Sequence, residues 1–138
     1  QLRHAGFVRA LTDAGQSFDP RLHMPLLFGD TALRAAIGQW IDQKIEFDGV
    51  FATSDVAALT IIAALQERGL KVPRDVKVVG YDDIPLSTHI HPTLTSIRQP
   101  TELAGRAMVT LMRQRLQNTD VNSITLPTTL VARESTLL

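Results

Sequence analysis

Segments with helical periodicity alternate with short apolar runs along the whole of this chain, and that alternation limits the folds open to it more than any other feature. Residues 2–15 place Leu2, Phe7, Val8, Leu11 and Ala14 at roughly helical spacing and close on Gly15, so a helix is predicted there. His23 to Phe28 is an apolar run read as a strand despite Pro25. Leu33, Ala36, Ile37, Trp40 and Ile41 repeat at three and four, which predicts a helix over 31–44. Asp48-Gly49 has turn chemistry, and Val50-Phe51-Ala52 reads as a short buried strand. A helix then runs to Arg68 on Leu59, Ile62 and Leu65, ended by Gly69, and Val76 to Gly80 reads as a strand. Leu94 to Arg98 is a strand or extended crossover, and Pro100 opens a helix over 101–117. Ile124 to Ala132 is a last strand, interrupted at Pro127. Such an order predicts an α/β fold with an open, mainly parallel sheet flanked by helices. The proline-bearing stretch 85–100 is the one shift in composition and the best place for a subdomain crossing.

Composition removes several function classes. The chain has 138 residues with 44% hydrophobic and 20% charged, enough for one compact domain or a large piece of one. It has no cysteine, which excludes disulfides, thiolate catalysis and Cys-based zinc sites. Lys plus Arg and Asp plus Glu both number 14, without the basic excess expected of a domain that grips a DNA backbone. The longest uncharged apolar-rich stretch, Val56 to Leu65, is too short to span a membrane, and the N-terminus shows no signal-peptide pattern. The sequence opens on Gln1 and enters a helical pattern almost at once, which reads as the interior of a longer gene product.

In open parallel α/β sheets, ligands sit at the carboxyl ends of the strands. That rule selects Asp30 and Thr31, then Thr53, Ser54 and Asp55, then Tyr81, Asp82 and Asp83. Arg3, at the start of its helix, shares this rim if a strand precedes it. An arginine with five fixed donors, hydroxyls and a carboxylate suit a polyhydroxylated ligand, and equally a purine or a carboxylate. Plainer roles compete: Asp82 and Asp83 as turn formers, Asp55 as a helix-dipole partner, and Ser54 as a simple cap, the favoured reading for Ser54 alone. His89 and His91 stand two apart in a loop, but no third metal ligand is specified, so they read as surface or interface residues. His4 and His23 carry no motif, and Trp40, Met108 and Met112 read as core stripes. No nucleophile elbow, Ser-His-Asp pattern or phosphate-cradling glycine loop is present, so no catalytic residue and no cofactor is assigned.

Five blocks then carry a family pattern. Val78-Val79-Gly80-Tyr81-Asp82-Asp83-Ile84-Pro85 resembles the V-V-G-[FY]-D-D-[IT]-P stretch of LacI/GalR transcription regulators. Pro92 to Gln99 resembles P-x-L-T-[TS]-[IV]-[RK]-Q, and Arg3-His4-Ala5-Gly6-Phe7 resembles R-x-x-G-[FW]. Asp48 to Asp55 with Ala58-Leu59 resembles the A-[ILV]-[FV]-[AC]-x-[ND]-D-x-x-A-[LI] segment, and Leu130 to Thr136 the terminal L-V-x-R-x-S-T.

The resemblance implies a periplasmic-binding-protein-like core of two α/β subdomains with effector between them. It places residues 1–95 in the C-terminal subdomain, without its first strand, and 96–138 in the crossover, helix and strand that complete the N-terminal subdomain. By position in the motifs, Arg3 and Asp82 are implied effector contacts. Ser54 stands where a polar residue, often Asn, touches effector, and Thr31 where an aromatic often packs on it. Gln99, after the crossover, is a further ligand candidate. Ser54 for Asn shortens a reach, Thr31 for an aromatic removes a stacking face, and Thr60 replaces a common Gly. The implied activity is effector sensing in the cytoplasm by a homodimer that meets operator DNA through a headpiece lying outside this sequence. The effector is a sugar or related small molecule, with no metal, no cofactor and no membrane. A solute-binding protein of a sugar transporter shares the fold and is the alternative. The helix over 101–117 is expected to present Leu103, Val109, Leu111 and Leu116 to a partner surface.

Overall fold

A computed structural model describes residues 2–24, 29–118 and 120–137. Helices α1 (Leu2–Asp13), α2 (Asp30–Asp42), α3 (Asp55–Glu67) and α4 (Thr101–Leu116) alternate with strands β1 (Gly49–Phe51), β2 (Lys77–Asp82), β3 (Thr95–Arg98) and β4 (Thr129–Val131). The strands form one sheet in the order β1-β2-β3-β4. β1 pairs parallel with β2, and β2 parallel with β3, while β4 lies antiparallel to β3. An open, mostly parallel sheet flanked by helices is therefore the architecture, as the alternation predicts.

Local chemistry fixes the helix ends. Gly15 and Gly69 hold φ of +72° and +81°, where a side chain would be strained. Past each of them the chain closes with a six-to-one bond, Gln16 N–H to the Leu11 carbonyl and Leu70 N–H to the Leu65 carbonyl. Ser54 begins α3 by accepting the Ala57 N–H at 3.2 Å.

The core lies between α2, α3 and the sheet. Ile37 of α2, Ala58, Ile61, Ile62 and Leu65 of α3, Val78 of β2 and Leu94 are buried together. α3 is buried on two sides because α2 packs on one face and β2 on another. Ser135, fully buried, stitches the chain's end onto the sheet where β2 and β3 begin. Its hydroxyl donates to the Val78 carbonyl at 2.6 Å and accepts the Thr95 N–H at 2.8 Å. The terminal Arg133-to-Thr136 block thus has a physical task, satisfying backbone groups that the parallel ladder leaves open.

Two expectations need correction, and a third lies mostly outside the described residues. The strand expected over 23–28 has no extended ladder at His23 or Met24, and residues 25–28 lie outside the described residues. The strand expected over 124–132 shrinks to Thr129–Val131, because β3 ends at Arg98, opposite Thr129, and leaves the residues before Thr129 no strand to pair with. Met108 and Met112 are not core residues: with Leu103, Val109 and Leu116 they are half or more exposed, and α4 buries no side chain fully. That exposure agrees with the expected apolar face on this helix.

Candidate functional site

A continuous set of contacts runs along the carboxyl edge of the parallel strands. Arg3, in the first turn of α1, donates from Nη1 to the Thr53 carbonyl at 2.7 Å. Its guanidinium lies over the Tyr81 ring, 3.7 Å from the centroid, a cation–π contact that holds the fork in place. Tyr81 and Asp82 end β2, and Asp82 accepts the Gln99 amide at 2.6 Å, where the chain leaves β3. Arg3, Asp82 and Gln99, three of the residues named from sequence, therefore share one rim. The exposed guanidinium retains donors beyond its bond to Thr53, and the Asp82 carboxylate retains acceptor capacity beyond its bond to Gln99.

Ser54 sits beside Thr53 on this edge, but its hydroxyl caps α3, the plainer of the two roles open to it. Thr31 is exposed in the first turn of α2 and makes no side-chain hydrogen bond among the described residues. The structure does not bring it into the Arg3–Tyr81–Asp82–Gln99 series. Its neighbour Asp30 accepts the Thr60 hydroxyl at 3.0 Å, so Thr60, where the pattern has a common Gly, links α2 to α3.

The two adjacent aspartates after β2 divide their work. Asp82 and Asp83 hold φ of +110° and +54°, conformations that cost side-chain-bearing residues energy and that accumulate at functional sites. Asp83 turns inward, its side chain 5% exposed, and accepts Nε of Arg98 and Nη2 of Arg133, each at 2.6 Å. Burial pushes the Asp83 carboxyl up, but the hydrogen bonds and charges of Arg133 and Arg98 outweigh it and hold the group below its ordinary value. Arg133 also donates to the Leu94 carbonyl at 2.6 Å, binding the chain's end to the start of β3.

Sequence reasoning missed the part played by Asp55. It is the first residue of α3 and is buried, accepting bonds from Ile84 N–H, Ser87 and Ser96 rather than only facing the helix dipole. Those partners lie 29, 32 and 41 residues away, so no local pattern exposes them. Tyr81 is legible in sequence as a strand-end and motif residue, but not as the ring under Arg3. His89 and His91 do not converge: His89 Nδ1 lies 2.8 Å from the Pro85 carbonyl, and His91 Nδ1 lies 3.4 Å from Glu134. Among the described residues no group of three or more His, Asp or Glu side chains gathers around one point. No described helix is long and apolar enough to cross a membrane.

A cavity of about 640 Å³ borders the rim at Thr53 and runs along β1 and under α1, lined also by His4, Phe7, Phe18, Trp40 and Phe51. Arg3, Asp82 and Gln99 do not line it. His4 and His23 lie tilted to each other with ring centroids 4.2 Å apart, and the buried His4 Nε2 has no hydrogen-bond partner among the described residues.

Comparison with known proteins places this geometry. The sequence profile of the periplasmic binding protein-like domain matches residues 1–136. The HTH-type transcriptional regulator CelR of Thermobifida fusca is 38% identical over 96% of this chain and 40% of its own length. The HTH-type transcriptional repressor PurR of Aliivibrio fischeri is 35% identical over 86% of this chain and 36% of its own. The chain thus spans about two fifths of the curated relatives it matches. Among solved structures, a CelR–cellobiose complex superposes with a TM-score of 0.86 at 38% identity, covering 96% of this chain and 41% of that one. A LacI-family regulator of Sanguibacter keddieii superposes at 0.87 with 34% identity, covering 97% and 51%. With the profile match over residues 1–136, the identity to these regulators and the shared open, mostly parallel sheet, the chain belongs to the periplasmic binding protein-like domain family, as found in transcription regulators of the LacI type.

Proposed function

We propose that this chain is the effector-sensing part of a DNA-binding transcription regulator, a binding module rather than an enzyme. The observation that carries this reading is the rim itself. Arg3 is aimed by Tyr81 and Thr53, and Asp82 is held by Gln99, on the edge where parallel sheets receive ligands. A fork of fixed donors on the same rim as a carboxylate acceptor suits vicinal hydroxyl groups as well as a purine or a carboxylate, and of these we infer a sugar or a sugar derivative. The relative crystallised with cellobiose supports the same class. Arg3, Asp82 and Gln99 are the proposed contacts. Ser54 and Thr31 flank them, Thr31 offering only a hydroxyl.

The division of the chain follows. Residues 1–95 form one lobe, and 96–138 form the crossover, helix and strand that lead to a second, with β3, β4 and Ser135 still bonded to the first lobe's sheet. The apolar surface of α4, with Leu103, Val109 and Leu116 half or more exposed, supports this division, since such a face is stable when another layer covers it. The cavity along β1 is the slot of one more parallel strand. β1 pairs only with β2 among the described residues, and the unpartnered His4 Nε2 sits in the cavity wall. In a homodimer, ligand bound between the lobes favours one lobe orientation and so sets the spacing of headpieces on operator half-sites.

A thermal-shift screen of the full-length gene product against mono- and disaccharides, sugar phosphates and purines tests the reading. A ligand that binds only the folded state at a hundred times its Kd stabilises by about 2.7 kcal/mol. A sugar hit lost in Arg3→Ala and Asp82→Ala is expected. A hit that survives both contradicts the assigned rim.

A further inference from the structure

Asp55 is 1% exposed although it carries a carboxyl group, and its burial is organised around three chain segments. Oδ2 accepts the Ile84 N–H at 2.8 Å and the Ser87 hydroxyl at 2.7 Å, while Oδ1 accepts the Ser96 hydroxyl at 2.5 Å. Ser96 in turn accepts the Asp83 N–H at 3.0 Å. A buried carboxylate is tolerated when its lone pairs are occupied, and here three donors occupy them. The sheet leaves room for it: a Cβ at Gly80 would stand 2.2 Å from Asp55 Oδ1 and 2.9 Å from Leu94 Cδ2. Gly80 is thus fixed by the close approach of a side chain, not by its own backbone conformation.

The three segments are those that carry the rim. Asp55 follows Thr53, whose carbonyl holds Arg3. Ile84 and Ser87 follow Asp82 within one loop, and Ser96 lies in β3, three residues before Gln99. A carboxylate at the first position of a helix gains from the helix dipole while facing solvent. This one faces inward and ties the start of α3 to the loop after β2 and to β3, neither of which any ladder joins to residues 53–55.

We propose that Asp55 is a positioning residue for the ligand rim. Its carboxylate clamps residues 53–55, the loop 82–87 and strand β3 in one arrangement, so the placing of Arg3 and Asp82 and the path of the crossover toward α4 are set together. The clamp rests on the reading of that rim as the ligand site, and its test separates the two.

Amide hydrogen exchange and cellobiose calorimetry are measured on the full-length gene product containing this chain, well below each variant's melting temperature. The variants are Ser87→Ala, Ser96→Ala, Asp55→Asn and the rim control Arg3→Ala. Ser87→Ala and Ser96→Ala each remove one arm and retain the fold if Asp55→Asn does not. The clamp predicts exchange faster by about tenfold in peptides covering 82–88 and 95–99, with 57–67 in α3 unchanged. It also predicts cellobiose affinity lowered by about tenfold in both serine variants. Unchanged exchange in 82–99 overturns it, as does looser exchange with undiminished cellobiose affinity. Failure of the unaltered protein to bind cellobiose contradicts the sugar reading for this probe, and exchange alone then decides the clamp.

Discussion

Replacing Asp83 with Asn removes one charge from the turn after β2 and leaves the backbone its shape, because Asn tolerates the left-handed φ of +54° found there. The cost follows from the two arginines. Arg133 pairs with Asp83 at 14% and 5% side-chain exposure, a shielded charge-assisted bond worth about 1.5–3 kcal/mol. Arg98 is 58% exposed, so its pair contributes about 0–1 kcal/mol. Asn retains one acceptor oxygen, which brings the expected loss to about 2–3 kcal/mol at neutral pH. Urea unfolding of the 138-residue chain measures it. With a slope of about 1–3 kcal/mol per molar, the midpoint falls by about 0.7–3 M.

The pH dependence carries a second sign. The folded pKa of Asp83 is held below its unfolded value, so its contribution is complete above about 3.9 and is lost as pH falls through the folded pKa. Asn does not titrate. The gap between the two proteins is therefore constant from neutral pH down to about 5 and narrows below about 4. A neutral-pH gap under about 0.5 kcal/mol, or one that fails to narrow in acid, refutes the account of this turn.

Three further outcomes follow from the packing. Leu65→Ala removes a fully buried side chain between α2, α3 and the sheet, and is expected to cost about 2–5 kcal/mol in the same urea assay. Ser54→Ala removes the α3 cap and costs about 1 kcal/mol, while sugar affinity measured calorimetrically changes little, since that hydroxyl is engaged with Ala57 N–H. Met108→Glu with Met112→Glu, both at exposed positions, leaves the unfolding free energy of the 138-residue chain within about 0.5 kcal/mol and reduces its self-association in light scattering.

The parts of this fold legible in the sequence are those written in local periods. The helices appear within a residue or two of their expected spans, because Leu33, Ile37, Trp40 and Ile41, or Ile62 and Leu65, repeat at three and four and glycines close two of them. β4 is shorter than its apolar run because hydropathy does not show where the neighbouring strand ends, and β3 stops at Arg98, opposite Thr129. Met108 and Met112 were misplaced for a related reason: an apolar helical stripe states that a face seeks cover, not that the cover lies within the same chain.

At the rim, Arg3, Asp82 and Gln99 were identified by motif, and geometry joins them through Tyr81 and Thr53. The Asp82–Asp83 pair reads as one acidic dipeptide in sequence. Only the fold shows one carboxylate facing Gln99 and the other locked by Arg98 and Arg133. In sequence Asp55 reads as a rim candidate or a dipole partner and no more, because its three donors arrive from distant segments, which one sequence cannot pair.

The central claim is that Arg3 and Asp82 receive the ligand, and calorimetric titration of cellobiose into the full-length gene product beside Asp82→Asn tests it most directly. Asp82→Asn keeps the shape of the turn and removes the acceptor charge. Saturable binding by the unaltered protein, weakened by about tenfold or more in the variant, is the predicted result. Equal affinity in both proteins contradicts the claim.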